Sequence, residues 1–169
     1  MDAMQVILTR RSIRRYTNQT ITSDTMQQLL EAAMSAPSAG NGQTWQFVVI
    51  TDRKVMEAIH QFHPYSDMLA EAAAAILVCG DMRLDKRGGY WVQDCSAATE
   101  NILLAAHALG LGAVWMGVYP NDDRVLNMKK VLELPDEITP LALVALGYPA
   151  EQLPPSQRFN PERVHHNHW

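Results

Sequence analysis

The segment from Arg10 to Tyr16 (RRSIRRY) places four arginines around a serine and ends in a tyrosine. Guanidinium groups neutralise a phosphate through charge-assisted hydrogen bonds, and a hydroxyl can add a further contact. One interpretation is therefore a site for the phosphate of a cofactor. The other is a solvated basic loop, and charge alone does not choose between the two.

The stretch from Ala36 to Gln43 joins small residues to two side-chain amides. Small residues let the backbone approach a flat ligand closely, and the amides of Asn41 and Gln43 can bind its polar edges. An ordinary turn between a helix and a strand has a similar composition. A ligand-binding loop and a simple turn both remain open from these residues alone.

A glycine-rich segment, Gly110 to Gly117 (GLGAVWMG), superficially resembles a dinucleotide-binding loop. In that motif the glycines stand between a strand and the helix that follows it. Here they follow a predicted long helix and lead into a strand. We therefore reject a Rossmann-type site.

The sequence does not predict a metal site. The histidines near the end, His165, His166 and His168, have no acidic or thiol ligands beside them, which is typical of a mobile tail. Cys79 and Cys95 are the only cysteines, too few for a disulfide framework or a four-ligand zinc site. We expect both to be buried thiols of the core.

Two acidic residues of the predicted long helix could suggest acid or base catalysis. We interpret Asp94 and Glu100 as residues of its polar face instead, and we nominate no catalytic side chain. The methionines expected to fill the core are Met4, Met26, Met34 and Met68.

Hydrophobic periodicity predicts the elements that must position these residues. Helices are expected near the N-terminus, over 26–34 after a cap at Thr22-Ser23-Asp24, and over 54–62, 91–109 and 121–132. Strands are expected over 45–51, 75–80, 113–117 and 141–146. The helix over 91–109 carries small residues at regular spacing, which favours close packing at the centre of the molecule.

This mixture predicts an α+β fold, a three-layer α/β/α sandwich around a mixed, mainly antiparallel sheet. A length of 169 residues suits one domain, and no internal repeat or linker divides it. The tail from Tyr148 to Trp169 is rich in proline and polar residues. It has too little pattern for a core of its own, so we expect it to be disordered or wrapped over something.

Composition excludes several classes of function. Hydrophobic residues make up 47% and charged residues 19%, and no apolar run is long enough to span a membrane. The formal charge of −4 gives no general attraction to nucleic acid. The first residues lack a signal-peptide pattern, so we expect a cytoplasmic protein without membrane or nucleic-acid partners.

The order of four stretches resembles the nitroreductase family of flavoenzymes over nearly the whole chain. They are RRSIRRY at the start, APSAGNGQTWQF after the first amphipathic helix, GLGAVWMG after the long helix and ALVALGYP before the tail. Each alone is weak, but their shared order and separations are specific. The resemblance implies the nitroreductase fold of a short-chain member, an intertwined homodimer, and FMN bound at the dimer interface.

The resemblance also implies which residues contact FMN. Arg10, Ser12, Arg14 and the late basic residue Arg158 are expected at the phosphate, the ribityl chain or the ring edge, and Arg11 acts mainly through its backbone. Further expected contacts, from the partner subunit in most cases, come from the loop residues Pro37, Ser38, Ala39, Asn41 and Gln43. Met116 and Gly117 are expected beside the reactive ring nitrogen, and residues 151–169 as an arm on the partner.

By the same resemblance, hydride passes from NADH or NADPH through FMN to a small electron-poor acceptor, such as a nitroaromatic or a quinone, by ping-pong kinetics. Alternatives are reductive dehalogenation, enoate reduction or flavin breakdown on the same fold, and a flavin-binding module without catalysis. The chain departs from the family pattern at Thr44, where proline is common, which predicts a less rigid loop.

Overall fold

Four antiparallel strands form one sheet in the order β1-β2-β4-β3. The computed structural model describes all residues from Met1 to Trp169. The strands are β1 (Trp45–Ile50), β2 (Ala74–Asp81), β3 (Gly112–Gly117) and β4 (Ile138–Gly147). The helices are α1 (Ala3–Thr9), α2 (Ser23–Met34), α3 (Arg53–His60), α4 (Trp91–Ala108) and α5 (Asp122–Val131).

Helices cover both faces of the sheet, because its central strands are apolar on both sides. Successive side chains of a strand point to opposite faces, so Val144 of β4 packs with α2 and α4 whereas Leu143 packs with α3 and α5. The predicted three-layer α/β/α sandwich is confirmed. The strand pairs are all antiparallel, and the parallel component is a single bridge between Ser12 and Ala113.

Helix α4 lies at the centre of the molecule, as its small residues predicted. Cys95, Ala98 and Ile102 are completely buried, and the helix packs against α2 and the sheet. The Cys95 thiol donates to the Cys79 carbonyl over 3.3 Å. Burial raises the pKa of Cys79 and of Cys95 to about 12, so the two cysteines are inert thiols of the core, as expected.

Several boundaries and faces differ from the sequence-based expectations. Strand β4 begins at Ile138 rather than Leu141, because Pro140 lies beside a register shift that lets a proline sit within the strand. Met68 is buried and Met26 packs against the core, but the prediction for Met4 and Met34 is wrong, since both side chains are more than half exposed. Periodicity identifies an apolar face without showing that the same chain covers it.

The remaining segments are three short 3₁₀ helices, at Ala39–Asn41, Asp67–Ala70 and Pro161–Arg163. No helix has the length and the apolar character needed to cross a membrane. Near the C-terminus, the rings of His165 and Trp169 stack with centroids 4.3 Å apart. No group of three metal-ligating side chains comes together anywhere in the structure.

Candidate flavin site

The basic segment of residues 10–16 runs along the free edge of β3. Ser12 forms the parallel bridge with Ala113, and the Ile13 amide donates to the Ala113 carbonyl over 3.0 Å. A Cβ atom on Gly112 would lie 2.6 Å from the Ile13 side chain. Glycine at position 112 is therefore what lets this segment lie close against the strand.

The chain just after β4 holds the other side of the same segment. The Thr17 amide donates to the Tyr148 carbonyl and the Ala150 amide to the Arg15 carbonyl, both over 2.9 Å. The Glu151 carboxylate accepts the Arg14 amide over 2.6 Å. The backbone of the basic segment is thus fixed between β3 and the beginning of the C-terminal tail.

Three of the four arginines have partners within the chain. Arg10 forms an ion pair with Glu100 over 3.4 Å, Arg15 pairs with Glu71 over 3.1 Å, and the Arg11 side chain donates to the Pro154 carbonyl. Arg14 is exposed and its guanidinium has no ion pair or hydrogen bond. Of the four, Arg14 is the cation most available to an anionic ligand.

A cavity of about 410 Å³ is lined by Arg14 and by residues 114–117 of β3. Its wall includes the Tyr65 ring and the last two residues of the strand, Met116 and Gly117. The Met116 side chain is buried in the core, whereas Gly117 is exposed and a Cβ atom there would meet nothing within 4 Å. A ligand in this cavity would meet bare backbone at Gly117.

Two side chains that the sequence-based reasoning missed bind the Gly117 carbonyl. His63 Nε2 and Arg124 Nη1 each lie 3.0 Å from this oxygen. The histidine is completely buried, and burial is the main cause of the lowering of its pKa. No sequence pattern connects His63 with Gly117, because 54 positions separate them and only the fold brings them together.

The loop of residues 37–43 has an unusual backbone. Gly40, Asn41 and Gln43 all have positive φ angles, of 58°, 55° and 49°. Residues other than glycine adopt this left-handed conformation rarely, and asparagine tolerates it best. Within the loop, the Gln43 amide donates to Ser38 Oγ over 3.0 Å and the Gln43 side chain to Asn41 Oδ1 over 3.3 Å.

Asp94 holds this loop from α4, so its interpretation as a polar-face residue is wrong. Its buried carboxylate accepts the Ala39 amide over 2.9 Å and the Thr44 hydroxyl over 3.3 Å. Thr44 is buried as well, and a proline could not donate this bond. The expectation of a less rigid loop stays a prediction, but Thr44 gives this loop a contact with α4 that proline would lack. Glu100, by contrast, is partly exposed, with 45% of its side-chain surface accessible.

Within one chain, the predicted site residues fall into two groups. Residues 10–14 lie against β3, where Arg14 shares a cavity with Met116 and Gly117, whereas the loop of residues 37–43, including Pro37, precedes β1 at the opposite edge of the sheet. Three strand spacings separate the two edges by about 14 Å. The loop lies at the end of the sheet that holds Trp45 and Gly117, whereas Ser12 pairs with Ala113 near the other end of β3. Arg158 is exposed and forms no ion pair with either group.

The fold and the site thus combine a helix-covered antiparallel sheet with a basic segment against one edge and an exposed glycine at the end of the edge strand. The chain belongs to the Nitroreductase family, whose sequence model matches residues 7–75 and 59–148. The two matched ranges together include the basic segment, the loop of residues 37–43 and all four strands.

Individual relatives resemble the chain over nearly its full length. A protein of Methanothermobacter thermautotrophicus, provisionally named NADH dehydrogenase/NAD(P)H nitroreductase, is 46% identical over 100% of this chain and 88% of its own. A similarly named crystal structure from Parabacteroides distasonis has a TM-score of 0.95 at 40% identity, covering 99% and 98% of the two chains. A Desulfovibrio desulfuricans structure, provisionally a nitroreductase in complex with FMN, has a TM-score of 0.86 at 31% identity, covering 100% and 98%.

Proposed function

We propose that this protein is an FMN-dependent oxidoreductase that takes hydride from NADH or NADPH and reduces a small electron-poor acceptor, such as a nitroaromatic or a quinone, with ping-pong kinetics. The observation that carries the proposal is the cavity that both the unpaired Arg14 and the exposed backbone of Gly117 line. The FMN complex of the Desulfovibrio relative and the NAD(P)H in the name of the Methanothermobacter relative support the choice of cofactors.

The chemistry of the residues fits FMN. Arg14 supplies a free guanidinium for the phosphate, Ser12 lies beside it on the same segment, and Gly117 offers an approach to a flat ring that no side chain obstructs. Arg10 would contribute by exchanging its contact with Glu100, and Arg158 by folding in from the tail. When bound, FMN supplies the hydride chemistry, and the protein supplies binding, orientation and electrostatics.

We propose further that the complete site forms between two copies of the chain. Helix α1 exposes Met4, Ile7 and Leu8, each by more than half, and α2 exposes Met34. Exposed apolar residues in such numbers indicate surfaces that a partner covers. A second copy would also bring its loop of residues 37–43 to the β3 edge, which one chain leaves about 14 Å away.

The tail supports the same arrangement. Residues 151–154 bind the basic segment of their own chain, while Phe159 and Trp169 further along are almost fully exposed. The later residues therefore form the arm that would cross to the partner. Sedimentation should show a dimer, and truncation after Pro154 should weaken both dimerisation and FMN binding. A truncated chain with unchanged dimerisation and FMN affinity would contradict the role of the arm.

The decisive experiment is the visible spectrum of the purified protein before and after anaerobic addition of NADH or NADPH. A bound flavin that is rapidly bleached, and recovers its colour when a quinone is added, is the expected result. Parallel lines in double-reciprocal plots would establish the ping-pong order. A bound flavin that neither nucleotide reduces would identify a binding module, and a protein without affinity for FMN would contradict the proposal.

A further inference from the structure

We propose that His63 and Arg124 are positioning residues that hold Gly117, through its carbonyl oxygen, at the position from which its backbone meets the flavin ring. This inference rests on the proposed function. Neither residue belongs to the stretches that carry the family resemblance, and neither needs to touch FMN. Their effect would pass through one backbone carbonyl.

The Gly117 carbonyl is saturated by these two donors. A carbonyl oxygen has two lone pairs, and here one faces His63 Nε2 and the other Arg124 Nη1, each at 3.0 Å. The donors come from different elements: His63 follows α3, and Arg124 belongs to the first turn of α5. Gly117 has no side chain to anchor it and is the last residue of its strand, so these contacts hold its carbonyl in addition to its pairing with Ala142.

His63 is itself held in one orientation. The Tyr65 amide donates to its Nδ1 over 3.4 Å, so the proton of the neutral ring resides on Nε2 and is donated to Gly117. The Ser66 hydroxyl donates to the His63 carbonyl over 2.6 Å, and both residues are completely buried. A buried ring with both nitrogens engaged has little freedom to move.

Arg124 contacts Tyr65 as well as Gly117 and places a positive charge beside them. Its guanidinium carbon lies 5.3 Å from the centroid of the Tyr65 ring, within range of a cation–π interaction. The helix cap also fixes its backbone, because Asn121 Oδ1 accepts the Arg124 amide over 3.0 Å. A preorganised cation here favours negative charge that develops beside Gly117 during reduction. Arg124 should therefore raise the midpoint potential of the bound flavin.

The test uses the full-length holoprotein with His63→Leu and Arg124→Leu, which remove one donor each. Arg124→Leu keeps an aliphatic stem near Tyr65, so it tests the idea even if the buried His63→Leu variant fails to fold. His63→Gln and Arg124→Lys restore a donor. Lys130→Leu is the matched control, because it removes an exposed cation from the same helix without touching Gly117.

At full FMN occupancy and saturating NADH or NADPH, each leucine variant should reduce the flavin about 3- to 10-fold more slowly, the loss expected for one hydrogen bond. The KM for the donor should stay within about twofold, since ground-state binding is not affected. Arg124→Leu should also give a more negative midpoint potential. His63→Gln and Arg124→Lys should recover most of the rate, and Lys130→Leu should match the wild type.

Wild-type reduction rates and potentials in both leucine variants would overturn the positioning role while leaving the proposed function intact. Slower rates that the conservative variants do not recover would also overturn it, because they would indicate general structural damage. A wild-type protein that neither binds FMN nor is reduced by a nicotinamide would overturn both proposals together.

Discussion

The two groups of predicted site residues are held in place by different means. The basic segment at β3 is fixed through its backbone, with β3 on one side and residues 148–151 on the other. The loop of residues 37–43 depends mainly on one buried carboxylate, that of Asp94 on α4. Backbone hydrogen bonds to the edge of the sheet hold the first region, whereas side-chain contacts from helix α4 hold the second. Substitutions in the two regions should therefore differ in how they change the stability of the protein and its affinity for FMN.

The largest effect is expected for Asp94→Ala, which removes the anchor of the loop. It leaves the Ala39 amide and the buried Thr44 hydroxyl without an acceptor, and hydrogen bonds to charged groups are worth about 1.5–3 kcal/mol each. We expect the free energy of unfolding, measured by urea denaturation, to fall by about 3 kcal/mol.

A matched variant separates the contributions to this anchor. Thr44→Val removes only the hydroxyl and should destabilise the protein by about 1 kcal/mol. If Asp94→Ala cost no more than Thr44→Val, the loop would not depend on a single carboxylate, and the contrast between the two regions would fail.

Arg14→Ala tests the other region at its free cation. Loss of one charge-assisted contact of about 1.5–3 kcal/mol should weaken FMN binding roughly 10- to 150-fold. Stability without FMN should be unchanged, because the Arg14 side chain has no partner within the chain. Arg15→Ala is the control, since its guanidinium binds Glu71 instead. Equal FMN affinities in the two variants would disprove the assignment of the phosphate to Arg14.

Substitution of the two glycines at opposite ends of β3 should affect different properties: stability at Gly112 and FMN binding at Gly117. Gly112→Ala places a methyl group 2.6 Å from Ile13 and should destabilise the protein by about 1–3 kcal/mol, as overpacking does. A Cβ atom at Gly117 would meet nothing within 4 Å in the chain, so Gly117→Val should leave the unfolding midpoint nearly unchanged but displace FMN. Full FMN occupancy in Gly117→Val would remove this residue from the site.

The smallest expected effect is the change in stability at acidic pH. The pKa of His63 is lowered in the folded protein, mainly by burial, so the unfolded chain takes up its proton first as the pH falls. The contribution of His63 to stability is complete above about pH 6.5 and is lost below it, at up to about 1.4 kcal/mol per pH unit.

His63→Gln should therefore show a flatter loss of stability than the wild type between pH 7 and 5, measured by urea denaturation. The pKa of His107 is also lowered, by burial and by Arg10, so only the difference between the two proteins reports on His63. Parallel pH profiles would show that His63 does not titrate differently in the folded and unfolded states.

Local patterns predicted most of the architecture, because periodicity and caps are properties of neighbouring residues. The predicted helices and strands all form, and Thr22 caps α2 as expected. The residues that complete the site were missed where the fold joins distant positions. Asp94 meets Ala39 across 55 positions, and His63 meets Gly117 across 54. A helical pattern places Asp94 on a face, but only the packed structure shows that a loop covers that face.

The pairing of residues 15–17 with residues 148–150 has a consequence for biosynthesis. The basic segment leaves the ribosome well before the backbone that fixes it, because 137 positions separate Arg14 from Glu151. At about 5–20 residues per second, the synthesis of the basic segment would precede the synthesis of Glu151 by several seconds or more. A cofactor that needs this segment in place is therefore bound only after Glu151 has been synthesised.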